Sequence, residues 1–259
     1  ALDEGLPRDG DAPEQIHAAM RYATLNGGKR IRPIIALAVG ELGGCPPECV
    51  LRPACSVELV HTASLILDDL PCMDDAELRR GLPCTHIQYG EATSLLAVMG
   101  LVALAFEFAG NDGTTKILSE AMGTRGLVLG QHMDLVQTGC ACNSMDIVED
   151  VHRYKAGALF LASVQIPAGI AGLGPDQTAA LESYARNIGF AFQITDDLMD
   201  ARRGSEDAGK STLVTLLGHS EAEVKARTLV DEAIEDLRCF GEKAEPLRAL
   251  AAYVTARNE

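Results

Sequence analysis

The chain has 259 residues, near the upper size for one hydrophobic core, and 47% of them are hydrophobic, which excludes a disordered composition. Lys and Arg total 22 against 37 Asp and Glu, a net charge of -15, which argues against general nucleic-acid binding because phosphate neutralisation needs a basic face. Aromatic residues make up only 4% and tryptophan is absent, which weakens an all-β reading.

In chain order, the N-terminal Ala-Leu-Asp-Glu-Gly lacks the charged-then-apolar pattern of a signal sequence. A turn at Asn26-Gly27-Gly28 leads into the basic run Lys29-Arg30-Ile31-Arg32, which opposes the global sign of charge. Helices are expected over residues 53–67, 95–109, 117–135, 144–169 and 178–199, all rich in Ala and Leu and separated by Gly, Pro and Asp. The longest apolar run, 95–106, is shorter than the ~20 residues a membrane span needs and reads as a helix buried on most sides. No period-two alternation or strand–helix–strand rhythm appears. The expectation is one domain over 1–259: an all-α bundle, without a membrane span.

The 8 cysteines form no Cys-x-x-Cys pair, and neither His132 nor His152 stands at a zinc-like spacing from them. Most read as reduced thiols, which fits a reducing compartment.

Two aspartate clusters carry the chemistry. The first is Asp68-Asp69-Leu70-Pro71-Cys72-Met73-Asp74, followed by Arg79-Arg80; the second is Asp196-Asp197-Leu198-Met199-Asp200. Adjacent carboxylates repel one another, so they call for compensating cations. Mg²⁺ is the natural choice, because it takes one or two carboxylates together with phosphate oxygens, and arginine pairs with phosphate through two parallel bonds. Asp196 and Asp200 share a helix face, with β-carbons about 6 Å apart, while Asp197 lies about 100° around as a more distant or water-mediated ligand. Asp68 and Asp74 would stand about 120° apart on a continuous helix, but Pro71 ends that helix and folds Asp74 back. Ser64 and His61 precede Asp68 by one and two turns on its face.

Gly204 through Ser211 also satisfies the phosphate-loop pattern of nucleotide hydrolases. That pattern works only between a buried strand and a helix, and here an acidic helical run precedes it, so nucleotide hydrolysis is set aside.

Taken together, Gly27-Gly-Lys-Arg-Ile-Arg-Pro33, His61 through Asp75 with Arg79-Arg-Gly81, Gly130-Gln-His-Met-Asp134, Lys155-Ala-Gly-Ala-Leu-Phe160 and Phe192-Gln-Ile-Thr-Asp-Asp-Leu-Met-Asp200 resemble the trans-isoprenyl diphosphate synthases. Within that family the chain is most similar to geranylgeranyl diphosphate synthases of the carotenoid-pathway type. The resemblance implies an isoprenoid-synthase-type helical bundle around a central apolar cavity, usually homodimeric. It implies that isopentenyl diphosphate is condensed with an allylic diphosphate. Asp68, Asp69, Asp74, Asp196, Asp197 and Asp200 would bind three Mg²⁺ ions when substrate is present. Lys29, Arg32, His61 and Arg80 match the contacts to isopentenyl diphosphate, and Arg79, Lys155 and Lys210 those to the allylic diphosphate, with Gln193 beside the reacting carbons. Ala63 and Ser64, small residues about one turn before Asp68, are expected to leave the chain-length tunnel open to a twenty-carbon product. Ala156 departs from the Thr that often follows the matching lysine. A farnesyl-producing synthase and a non-catalytic regulatory subunit are the alternatives; intact aspartates oppose the latter. The expected location is the cytoplasm, or the plastid stroma after loss of a transit peptide.

Overall fold

A computed structural model describes residues 1–8, 10–137, 144–203 and 212–256. Its elements are α1 (Leu2–Gly5), α2 (Glu14–Leu25), α3 (Ile31–Leu42), α4 (Pro47–Asp68), β1 (Leu78–Arg79), β2 (Leu82–Pro83), α5 (Thr85–Tyr89), α6 (Glu91–Ala109), α7 (Asp112–Met122), α8 (Leu127–Gln137), α9 (Met145–Lys155), α10 (Gly157–Ala171), α11 (Pro175–Arg203), α12 (Leu213–Leu217), α13 (His219–Asp236) and α14 (Glu245–Ala256). A 3₁₀ stretch, Leu237–Ala244, joins the last two. The fold is all-α apart from the antiparallel hairpin of β1 and β2, in which Leu78 faces Pro83 and Arg79 faces Leu82.

Two long helices organise the molecule. α4 packs against α3, α6 and α10, and α11 against α10 and α13, so α10 lies against both. One core, shared by α4, α6, α7 and α10, contains Leu59, Ala63, Leu101, Leu118 and Leu159. A second, around α10 and α11, contains Phe160, Tyr184 and Ile188.

The boundaries have local causes. Pro47 begins α4 at a position whose N–H has no helical partner, and Pro33 sits in the first turn of α3 for the same reason. Gly110 ends α6 in the left-handed region, and the Asn111 side chain then caps α7 by accepting from the Thr114 amide at 3.0 Å.

Three expectations need correction. The helix expected over 117–135 is interrupted between Met122 and Leu127, at Gly123-Thr-Arg-Gly126. The helix expected over 144–169 is broken at Ala156, whose backbone lies off the helical line at φ -102 and ψ -45. The helix containing the apolar run is longer than expected and less buried. α6 has 19 residues, is long and apolar enough to cross a membrane, and leaves Leu95, Leu96 and Met99 exposed, the last at 69%. Its apolar residues surround the whole helix, and α2, α4 and α5 cover only part of that surface. α4 passes the same length and composition test but is mostly buried inside the protein, as a core helix is.

Candidate active site

The acidic side is built by the ends of α4 and α11. α4 stops at Asp68, three residues before Pro71, and a series of turns follows. The Asp74 amide donates to the Asp68 carbonyl at 2.9 Å and the Asp75 amide to Leu70 at 3.1 Å, so the chain folds Asp74 back as expected. Asp196, Asp197 and Asp200 lie on unbroken α11.

The last turn of α9 joins the two clusters. Lys155 Nζ lies 3.5 Å from Asp68 and 2.7 Å from Asp134 Oδ2. His152, one turn earlier, places Nε2 3.9 Å from Asp197. Residues three apart on a helix share a face, so one helical turn faces both acidic groups. Lys29 approaches the second cluster from outside α9, 3.7 Å from Asp196. Burial raises the Asp68 carboxyl, against the opposing pull of Lys155. Burial lowers Lys155, but Asp68, Asp134 and Asp74 outweigh it and hold the ammonium above the ordinary lysine value. Burial also pushes Asp197 up to about 7, although Gln193 donates to its Oδ1 at 3.3 Å. Asp197 Oδ2 is buried with no hydrogen-bond partner.

Asp69 has a different environment. It is buried and accepts both Nε at 2.9 Å and Nη2 of Arg79, so the hairpin is tied to the end of α4. Burial lowers Arg79, and the bond and charge of Asp69 more than restore it. The first cluster therefore divides: Asp68 and Asp74 lie together beside Lys155, whereas Asp69 is taken up by Arg79.

The basic side gathers on α3, α4 and the hairpin. Arg32 donates to His61 Nε2 at 3.4 Å and lies over the Phe160 ring, 4.6 Å from its centroid. Burial lowers Arg32 to about 10. Burial, followed by the charges of Arg32, Arg80, Arg30 and Arg79, drives His61 well below its ordinary value, so its ring is neutral. Arg80 donates to the carbonyls of Gly27 at 2.9 Å and Asn26 at 3.3 Å. Gly28 is favoured there because its φ of +106 strains any residue with a β-carbon; the Arg80 guanidinium, 2.8 Å from where that carbon would stand, is a side-chain tip and adds little.

Ala63 is buried in the core shared with α6 and α10, and half-buried Ser64 donates its hydroxyl to the His61 carbonyl at 2.8 Å. Lys210 and the phosphate-loop pattern from 204 to 211 lie outside the described residues. The segment before that pattern is helical through Arg203 and supplies no strand.

Sequence reasoning assigned no role to Asp134, His152, Gln131 or Glu58. The first and third stand in the quoted run Gly130-Gln-His-Met-Asp134, where an acid one turn after a glycine was the available signal. Gln131 Nε2 and His152 Nδ1 are both buried without a hydrogen-bond partner.

Residues 13–217 match the family model described as polyprenyl synthetase. The chloroplastic geranylgeranyl pyrophosphate synthase of Capsicum annuum is 41% identical over 100% of this chain and 75% of its own length. Geranylgeranyl pyrophosphate synthase 4 of Arabidopsis thaliana is 39% identical over 100% of this chain and 74% of its own. Among solved structures, an FPP/GFPP synthase from Zymomonas mobilis aligns at a TM-score of 0.89 and 37% identity, covering 98% of this chain and 93% of that one. With this family match and these relatives along its whole length, the chain belongs to the polyprenyl synthetase family.

Proposed function

We propose that this protein condenses isopentenyl diphosphate with allylic diphosphates, head to tail, to give geranylgeranyl diphosphate. One observation carries this reading: a single turn of α9 faces both acidic clusters, Lys155 toward Asp68 and His152 toward Asp197, with a separate arginine cluster on α3 and the hairpin. Two anionic substrates need two cationic sites: the arginine cluster is one, and Lys155 together with the cations that the acidic clusters would hold makes the other.

Lys29, Arg32, His61 and Arg80 hold isopentenyl diphosphate. A neutral His61 contributes a hydrogen bond, and the guanidinium groups contribute the charge. Lys155 and Arg79, with Lys210, hold the allylic diphosphate, Arg79 acting from its pair with Asp69. Gln193, fixed by Asp197, stands beside the reacting carbons.

The acidic groups suit Mg²⁺. Mg²⁺ takes one or two carboxylates together with phosphate oxygens, and Asp68 and Asp196 offer carboxylates on facing elements, each beside a lysine. Asp68 and Asp74 on one side and Asp196, Asp197 and Asp200 on the other would hold it, three ions in all, and Asp197 Oδ2, buried without a hydrogen bond, fits that role. When bound, Mg²⁺ neutralises charge on the leaving diphosphate. Lys155 and Arg79 stabilise the same developing charge as the allylic carbon–oxygen bond breaks. The isopentenyl double bond then attacks the allylic cation, and the proton leaves to the departing diphosphate. The apolar residues of α4, α6 and α10 exclude water from the cation.

The same reading takes residues 1–259 as one synthase domain in a homodimer. The exposed apolar face of α6, with Leu95, Leu96 and Met99, supports the dimer. Free thiols at Cys45, Cys49, Cys55, Cys72, Cys84 and Cys239 support a reducing location, cytoplasm or plastid stroma. The test is incubation of purified protein with isopentenyl diphosphate, each allylic starter and Mg²⁺. A twenty-carbon diphosphate is the expected product; no condensation with any starter rejects the reading.

A further inference from the structure

Glu58 lies in the middle of α4 with only 2% of its surface exposed, a burial that an ionised carboxylate tolerates only when paired. Its partner is Arg30, whose Nη1 donates to Glu58 Oε1 while Nη2 donates to the Thr24 carbonyl. One guanidinium therefore ties together the last turn of α2, the start of α3 and the body of α4.

The backbone of Arg30 makes this tie informative. It is left-handed, at φ 53 and ψ 29, a conformation that disfavours any residue with a β-carbon. Arg30 is also the residue before the first turn of α3, so its backbone sets the direction in which Lys29 leaves the helix and Arg32 enters it. Glu58 stands three residues before His61 on α4, hence on the same side of the helix. It also acts electrostatically on Arg32 and Arg80, favouring their charged forms against burial. Arg30, Arg32 and Arg80 would otherwise repel one another with little solvent to screen them.

We propose that Glu58 is a positioning residue: through Arg30 it holds the loop from Gly27 to Arg32 in the one arrangement that turns Lys29, Arg32, His61 and Arg80 into a single diphosphate site. Glu58 touches no substrate. Its carboxylate counterbalances the arginines from behind and leaves their charge available in front. The assignment rests on the reading of that site as the one for isopentenyl diphosphate.

Glu58→Gln keeps the size of the side chain and removes its charge. The expected result is a rise of at least tenfold in KM for isopentenyl diphosphate, with KM for the allylic diphosphate within about twofold of wild type. Glu58→Asp recovers part of that loss. Glu58→Gln combined with Arg30→Gln is no worse than either alone, because both remove one link. Arg30→Lys keeps the charge but loses the two-way guanidinium fork, and gives the same selective rise if Glu58→Gln does not fold. Calorimetry with inorganic diphosphate, run without Mg²⁺ so that the metal-dependent allylic site is not filled, reads the site without turnover and shows at least tenfold weaker binding in the same variants. Equal rises in both KM values, or wild-type diphosphate affinity in a folded Glu58→Gln or Arg30→Lys protein, overturns the proposal. A wild-type protein that binds diphosphate in a Glu58-dependent way yet makes no prenyl diphosphate overturns the functional reading alone.

Discussion

Gly130 stands so close to Lys155 that a β-carbon on it would lie 2.1 Å from the Lys155 amide nitrogen. This approach sets α8 against α9 and brings Asp134, one turn beyond Gly130, within 2.7 Å of the Lys155 ammonium. Backbone cannot yield as a side-chain tip does. Gly130→Ala therefore pushes the two helices apart, destabilises the protein by about 1–3 kcal/mol and moves Lys155 from Asp68. Thermal unfolding and the allylic KM should worsen together; an unchanged Tm and unchanged KM reject this account of the packing.

Asp68→Ala and Asp196→Ala should abolish turnover while leaving the helical fold intact. Each removes a carboxylate that would hold Mg²⁺, a contribution of several kcal/mol to the transition state. Asp134 still partners Lys155 when Asp68 is gone, so folding should survive. Circular dichroism checks the fold and saturating Mg²⁺ checks the assignment: near-normal turnover in either variant sinks it.

Lys29→Ala should weaken isopentenyl diphosphate more than the allylic substrate, and Lys155→Ala the reverse. A charge-assisted contact contributes roughly 1.5–3 kcal/mol, so the affected KM should rise at least tenfold. Lys29 also neutralises Asp196, which makes its effect on Mg²⁺ dependence a useful second measurement. Equal effects of each substitution on both substrates would refute the division into two sites.

Acid should destabilise the substrate-free protein partly through His61. Its folded pKa is well below the 6.5 of the unfolded chain, so between those values the unfolded state binds a proton that the native state does not. Stability from this group is present above pH 6.5 and is lost progressively as pH falls below it. Urea midpoints measured between about pH 7.5 and about pH 5.5 should decline less steeply for His61→Gln than for wild type. Parallel slopes would exclude His61 as a source of the acid sensitivity.

Ala63→Phe should shift the main product from twenty carbons to fifteen. Ala63 lies five residues before Asp68, about 7.5 Å along α4, and is buried against the core shared with α6 and α10. Overpacking there costs about 1–3 kcal/mol, so the variant must first be shown to fold. Chromatography of the products decides the matter. An unchanged twenty-carbon product from folded protein means that Ala63 serves only close helix packing.

The aspartate clusters, the basic run and the order of the motifs are local patterns, and so is the all-α character, which follows from Ala- and Leu-rich segments without alternation. Pro71 sufficed to show that Asp74 folds back, because a proline acts on the chain next to it. The chain alone thus determined the family and the fold class, and it named the aspartates and basic residues as candidates. Three features required the tertiary structure. Asp69 is separated from Asp68 because Arg79 reaches it from the hairpin, ten residues on. Asp134 and His152 join the acidic clusters because α8 and α9 cross at Gly130. Glu58 gains a role only when α4 meets Arg30 from a loop 28 residues earlier. Each depends on which distant charge shares a buried space, and an ion pair between remote segments leaves no periodicity in the sequence.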